Sequence, residues 1–241
     1  MDHGDNQISA LIAGLENADK RAIRHAVDAL IACAADDPKL RAVLHQRLAD
    51  PSLKNHWPLA YILASLPAPT QTVIKVLAQT LDHRDPDIRW AIALVLMRLA
   101  KTDASLLSDL VQLAANGTAN QRRMAIYCLR DAGLNDQQRV ATLLNSLGDV
   151  DPMVRVAVVT SFKNSPLDEN GKRKLLECFS RDPDVRVRNA AAITLAQMGT
   201  PSEEFLAELS KALAGDNTQL KKSATAAFTL LENKRSAPDG G

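Results

Sequence analysis

The chain has 241 residues, 46% of them hydrophobic but only 3% aromatic, and Ala and Leu supply most of the apolar mass. That mixture suits thin helix-on-helix packing and argues against a sheet, which would draw on Val, Ile, Tyr and Phe. The charges nearly cancel, 29 Lys and Arg against 28 Asp and Glu, which argues against nucleic acid as the partner, because domains that live on nucleic acid are usually markedly basic.

Taken in chain order, apolar residues at three- and four-residue spacing predict seven helical hairpins. They run roughly over 5–35, 38–67, 69–100, 103–133, 135–166, 168–199 and 201–232. Together they make one repeat domain, 1–232, followed by a polar tail, 233–241, that is expected to be disordered. The register comes from three similar segments: Asp85-Pro86-Asp87-Ile88-Arg89, Asp151-Pro152-Met153-Val154-Arg155 and Asp182-Pro183-Asp184-Val185-Arg186-Val187-Arg188. Taking the residue before the aligned Arg, or its substitute, as position zero gives Ile23, Asn55, Ile88, Gln121, Val154, Val187 and Leu220. The step from Ile23 to Asn55 is shorter by one than the other five, which are equal. A fixed period of roughly 33 residues marks a solenoid of stacked hairpins.

Two columns that played no part in setting the register test it. Eight residues after zero stand Ile31, Leu63, Leu96, Leu129, Phe162, Leu195 and Phe228. Eleven before zero stand Ile12, Leu44, Leu77, Leu110, Leu143, Leu176 and Leu209. Both are large and apolar in all seven repeats, so both are expected in the core. Within a unit the first helix covers about −19 to −7, as at 70–81 or 202–214, and a polar turn leads to the second, as at 87–100. Asp85, Asp151 and Asp184 stand where a carboxylate can cap the free NH groups of a second helix. Gly133 and Gly199 are expected to end two second helices, and Pro67 and Pro166 to stop two others.

The pattern Asp-Pro-x-(Val/Ile)-Arg-x-x-Ala resembles HEAT repeats of the short bacterial type, also found in phycobilin lyases. The stretch from Val187 to Gly199 is similar along its whole length, and the resemblance covers about residues 6–232. Repeats two, four and seven depart from it at His56, Gln121 and Lys221, and Pro58 sits in the first turn of its helix. The resemblance implies an all-α superhelix whose second helices line a concave inner surface.

Two constellations stand out against that frame. The first is the basic column one after zero, where Arg89, Arg155 and Arg188 are expected to form a structural ladder. Their partners would be Asp85, Asp151 and Asp184, four residues earlier, or an Asp of the adjacent repeat. The second is the placement of the rare large aromatics. Trp57 and Trp90 fall two after zero, and Tyr61 and Tyr127 fall six after zero, so all four share one face of the second helices. With Leu94 and Arg123 they make a candidate partner-binding patch, because Trp, Tyr and Arg are the residues that most often anchor interfaces.

Signals for chemistry are poor. The five histidines include no His-Glu pair, so the di-iron hydroxylases built on HEAT repeats are not matched. No Ser/His/Asp order, phosphate-binding loop or metal-ligand motif appears, and no metal or other cofactor is expected. Cys33, Cys128 and Cys178 are unclustered, which fits buried, reduced thiols in a cytoplasmic protein. The start, Met1 to Asp5, is the wrong composition for a signal peptide, and no apolar run reaches membrane-spanning length. The expected function is therefore a non-catalytic adaptor that binds another protein or peptide. The alternatives are a lyase-like protein holding a tetrapyrrole against the aromatics, and a nucleic-acid protein like the DNA glycosylases with HEAT-like repeats.

Overall fold

The computed structural model describes residues 3–17, 19–131, 136–163, 167–198 and 200–236. Among them are fourteen α-helices and no strand, two to each period of the sequence. The pairs are α1 (His3–Gly14) with α2 (Lys20–Ala34), α3 (Pro38–Leu48) with α4 (Trp57–Ser65), and α5 (Gln71–Thr80) with α6 (Pro86–Ala100). Then come α7 (Ala104–Asn116) with α8 (Ala119–Asp131), α9 (Asp136–Asn145) with α10 (Pro152–Ser161), α11 (Glu169–Arg181) with α12 (Val185–Gln197), and α13 (Glu203–Ala214) with α14 (Thr218–Ser236). A 3-10 turn, Ser146–Gly148, follows α9. Helix α14 continues into the segment that the sequence assigns to a tail. Residues 237–241 lie outside the described residues, as do Gly133, Pro166 and Gly199.

The helix starts follow from local chemistry. The carboxylates of Asp85, Asp151 and Asp184 accept backbone NH groups two residues on, at 3.0, 2.7 and 2.8 Å. Pro86 and Pro152 open two of these helices, where a missing NH costs nothing. Helix α4 departs from the rule, since His56 precedes it in helical conformation with no side-chain cap.

The chain forms two compact units, Met1–Leu106 and Leu107–Gly241, divided inside α7. In the first, α2 packs on α4 and α4 on α6. In the second, α8, α10, α12 and α14 follow one another in the same way. The core of each unit is the buried stripe of these second helices against their partners. Leu110, Leu129, Leu143 and Leu195 are all buried.

Three positions of the two apolar columns differ from expectation at the ends of the chain. Ile12 and Ile31 are half-buried and Phe228 is 44% exposed, because the first and last hairpins have a packed neighbour on one side. Leu176 is also half-buried. Its neighbour Leu175 takes the core position in α11.

Candidate functional site

Four of the six patch residues lie in the first unit. On α6, Trp90, Leu94 and Arg98 follow at intervals of four, one strip of the helix. Trp90 is 44% and Leu94 59% exposed, while Ile92, Ala93, Val95, Leu96 and Met97 between them are buried. Arg98 ends the strip by donating from Nη2 to the Ala64 carbonyl at 2.9 Å, which ties α6 to α4. On α4, Trp57 and Tyr61 are half-buried. Trp57 also lines a cleft of about 510 Å³ with His56, Gln79 and His83, so its ring partly closes the space between neighbouring hairpins.

Arg123 and Tyr127 belong to the second unit, one helical turn apart on α8, and both are half-buried. The Arg130 guanidinium lies 5.5 Å from the centre of the Tyr127 ring, a cation–π contact that occupies one ring face. Arg123 donates to the Asn120 side chain at 3.3 Å.

The arginine column has a repeated geometry. Arg155 donates from Nη1 to the Asp149 carbonyl at 2.7 Å, and from Nε and Nη2 to both Asp182 carboxylate oxygens at 2.8 Å. Arg122 does the same with the Gly117 carbonyl, at 2.9 Å, and with Asp149, at 2.6 and 2.7 Å. Each guanidinium thus closes the turn of its own hairpin and clasps the next one through a bidentate pair, the strongest arrangement open to it. Among the described residues, Asp85–Arg89, Asp151–Arg155 and Asp184–Arg188 are not ion pairs, because each of these guanidinium groups turns to a backbone carbonyl before its own helix. Asp85 pairs instead with Lys20 at 2.6 Å, and Asp184 with Arg186 at 2.8 Å.

Arg89 and Arg188 keep the carbonyl half of the motif, bonding the carbonyls of His83 and Asp182 at 2.6 Å. Their buried Nε atoms have no acceptor. The reason is legible in the column five before zero: Ala18, Asp50, His83, Asn116, Asp149, Asp182 and Gly215. The counterpart of Asp182 in the hairpin after Arg188 is Gly215, which has no carboxylate. Asp149 and Asp182 were not singled out from the sequence, since only three of seven members of their column are Asp.

No group of three or more His, Cys, Asp or Glu among the described residues is placed to hold a metal ion, and no described helix is long and apolar enough to cross a membrane.

Residues 140–229 match the family model for HEAT repeats. The X-ray structure of YibA from Escherichia coli is similar over 94% of each chain, at 15% identity and a TM-score of 0.54. Human deoxyhypusine hydroxylase in complex with glycerol shares 16% identity over 95% of this chain and 97% of that one, with a TM-score of 0.43. A designed armadillo repeat protein in complex with a (KR)4 peptide shares 15% identity over 93% and 99%, with a TM-score of 0.41. No curated protein matches the chain. The protein is an α-solenoid of the helical-repeat class, and its stretch 140–229 is similar to HEAT repeats.

Proposed function

We propose that the protein is a binding scaffold that holds another protein against the solvent-exposed faces of its second helices. In the first unit the contact residues are Trp57, Tyr61, Trp90 and Leu94, and in the second Arg123 and Tyr127. The observation that carries the reading is the α6 strip, where Trp90 and Leu94 stand 44% and 59% exposed in a chain with only two Trp. Leaving such side chains in water forgoes their burial, roughly 1.5–3 kcal/mol for a large apolar group, which a bound partner recovers. HEAT and armadillo folds commonly serve protein binding, which agrees with this reading.

The test is affinity capture with wild type, Trp90→Ala and Trp57→Ala/Trp90→Ala, beside thermal denaturation of each. Trp90→Ala is expected to melt near the wild type and to lose about 2 kcal/mol or more of partner affinity. A variant that unfolds would identify the ring as core packing and remove the proposal.

A further inference from the structure

The second unit carries a surface of different chemistry from the aromatic strip. Its four second helices contain Asp131 and Glu232 as their only acids, against a series of Arg and Lys. Part of that charge is already matched: Arg122 by Asp149, Arg130 by Asp131, Arg155 by Asp182 and Arg186 by Asp184. Lys163 and Lys222 are exposed and have no carboxylate partner among the described residues. Arg123 bonds only the neutral Asn120 side chain.

Between α10 and α12 this surface is indented by a groove of about 500 Å³. Val156, Thr160 and Ile193 give it apolar and methyl-bearing walls, and Asn189, Gln197 and Lys163 stand around them. No lining residue is acidic. The groove therefore combines three recognition elements. Half-buried apolar walls can take an apolar side chain, and the exposed Asn189 amide can donate to and accept from a peptide unit. The unmatched Lys163 ammonium in the lining, with Lys222 on α14 at the repeat position that Val156 and Asn189 hold on α10 and α12, favours a carboxylate nearby.

We propose that this face of the second unit docks a segment of another protein in which acidic residues alternate with apolar ones. Single-stranded nucleic acid shares the charge but needs exposed rings on which bases stack. Tyr127 is the only Trp or Tyr of this unit, and Arg130 covers one of its faces; the exposed Phe228 stands six residues on from Lys222 along α14, roughly 240° round the helix and off this face. None of Val156, Thr160, Lys163, Asn189, Ile193 and Lys222 is among the six residues of the first proposal, so either proposal can fail without the other.

The test is fluorescence anisotropy on the full chain with a labelled peptide of repeating Glu-Val-Ser. Parallel titrations use the same peptide with Lys for Glu, and an oligodeoxythymidine. Saturable binding of the acidic peptide, weakening as salt rises, is expected. Lys163→Glu/Lys222→Glu should keep the wild-type circular dichroism, since both residues are exposed, and weaken binding about tenfold or more. Ile193→Gln should weaken it as well, while Trp90→Ala should leave it unchanged. The proposal is overturned if no saturable binding occurs, if the Lys peptide binds equally well, or if the double Glu variant binds like wild type. Tighter binding of the oligonucleotide would overturn it in favour of a nucleic-acid face.

Discussion

Leu129 and Trp90 stand on second helices of successive repeats and meet opposite fates, one fully buried and the other 44% exposed. Leu129→Ala should cost about 2–5 kcal/mol in chemical denaturation, because it removes packing and leaves a cavity. Trp90→Ala should cost less than about 1 kcal/mol. The cysteines divide in the same way. Burial pushes the Cys128 thiol up to about 12 and the Cys178 thiol up to about 11, whereas Cys33, expected to be buried with them, is exposed. A thiol reagent at neutral pH should therefore label Cys33 readily in the native protein and all three cysteines only after denaturation. Rapid native labelling of Cys128 would contradict its burial. At this scale the sequence was a good guide wherever several repeats agree. It failed at Leu175-Leu176, because two adjacent leucines differ by one step of helical rotation, about 100°, and periodicity cannot choose between them.

Between helices, the bidentate pairs are the contacts whose loss should be felt most. Asp182→Ala would strand the Arg155 guanidinium, a residue only 9% exposed, at a cost of about 3 kcal/mol. Removing the exposed Lys172–Glu169 pair should change stability by less than about 1 kcal/mol. Gly215→Asp should do the reverse of Asp182→Ala and supply Arg188 with its absent acceptor. The added Cβ would lie 3.2 Å from the Lys211 carbonyl oxygen, so a small shift is needed, but a net gain of about 1 kcal/mol is expected. A lower denaturation midpoint would mean that the close approach outweighs the new bond.

Acid should act through the same carboxylates. Burial alone would raise the pKa of Asp149, but the hydrogen bonds from Arg122 and from the Asp151 NH hold it below the usual value. The Arg186 side chain brings Asp184 to about 2. Both folded values are depressed, so their contribution is present above the ordinary Asp value of about 4. It is lost as pH falls toward 2. Urea midpoints measured between these values should drop steadily, and less steeply in Asp149→Asn. The sequence located the Asp caps and the Arg column but not the inter-repeat partners. A pair that reaches from one hairpin to the next, and is present in only some repeats, leaves no pattern that recurs along the chain.

For the molecule as a whole, the seven hairpins follow from the period, while the division at Leu106 does not. The step from Ile88 to Gln121 equals the steps on either side of it. Periodicity records which side chains face inward, and says nothing of how fully each hairpin packs on the next. The arginine clasp has one more consequence. Its partners stand at the same separation in both complete pairs, Arg122 with Asp149 and Arg155 with Asp182. The pairs themselves recur after one full period, as the positions of Asp149 and Asp182 show. Excising residues 150–182 therefore joins Asp149 directly to Pro183, the sequence context that Asp182 has in the intact chain. Asp149 would still face Arg122, and its carbonyl would meet Arg188 as the Asp182 carbonyl does now. Such a deletion should give a folded, cooperatively melting helical protein, whereas removing a stretch out of phase, such as 150–170, should not. Insertions and deletions in this stretch of the gene thus have a phase of their own, and whole-period changes in length can pass through it without new compensating mutations.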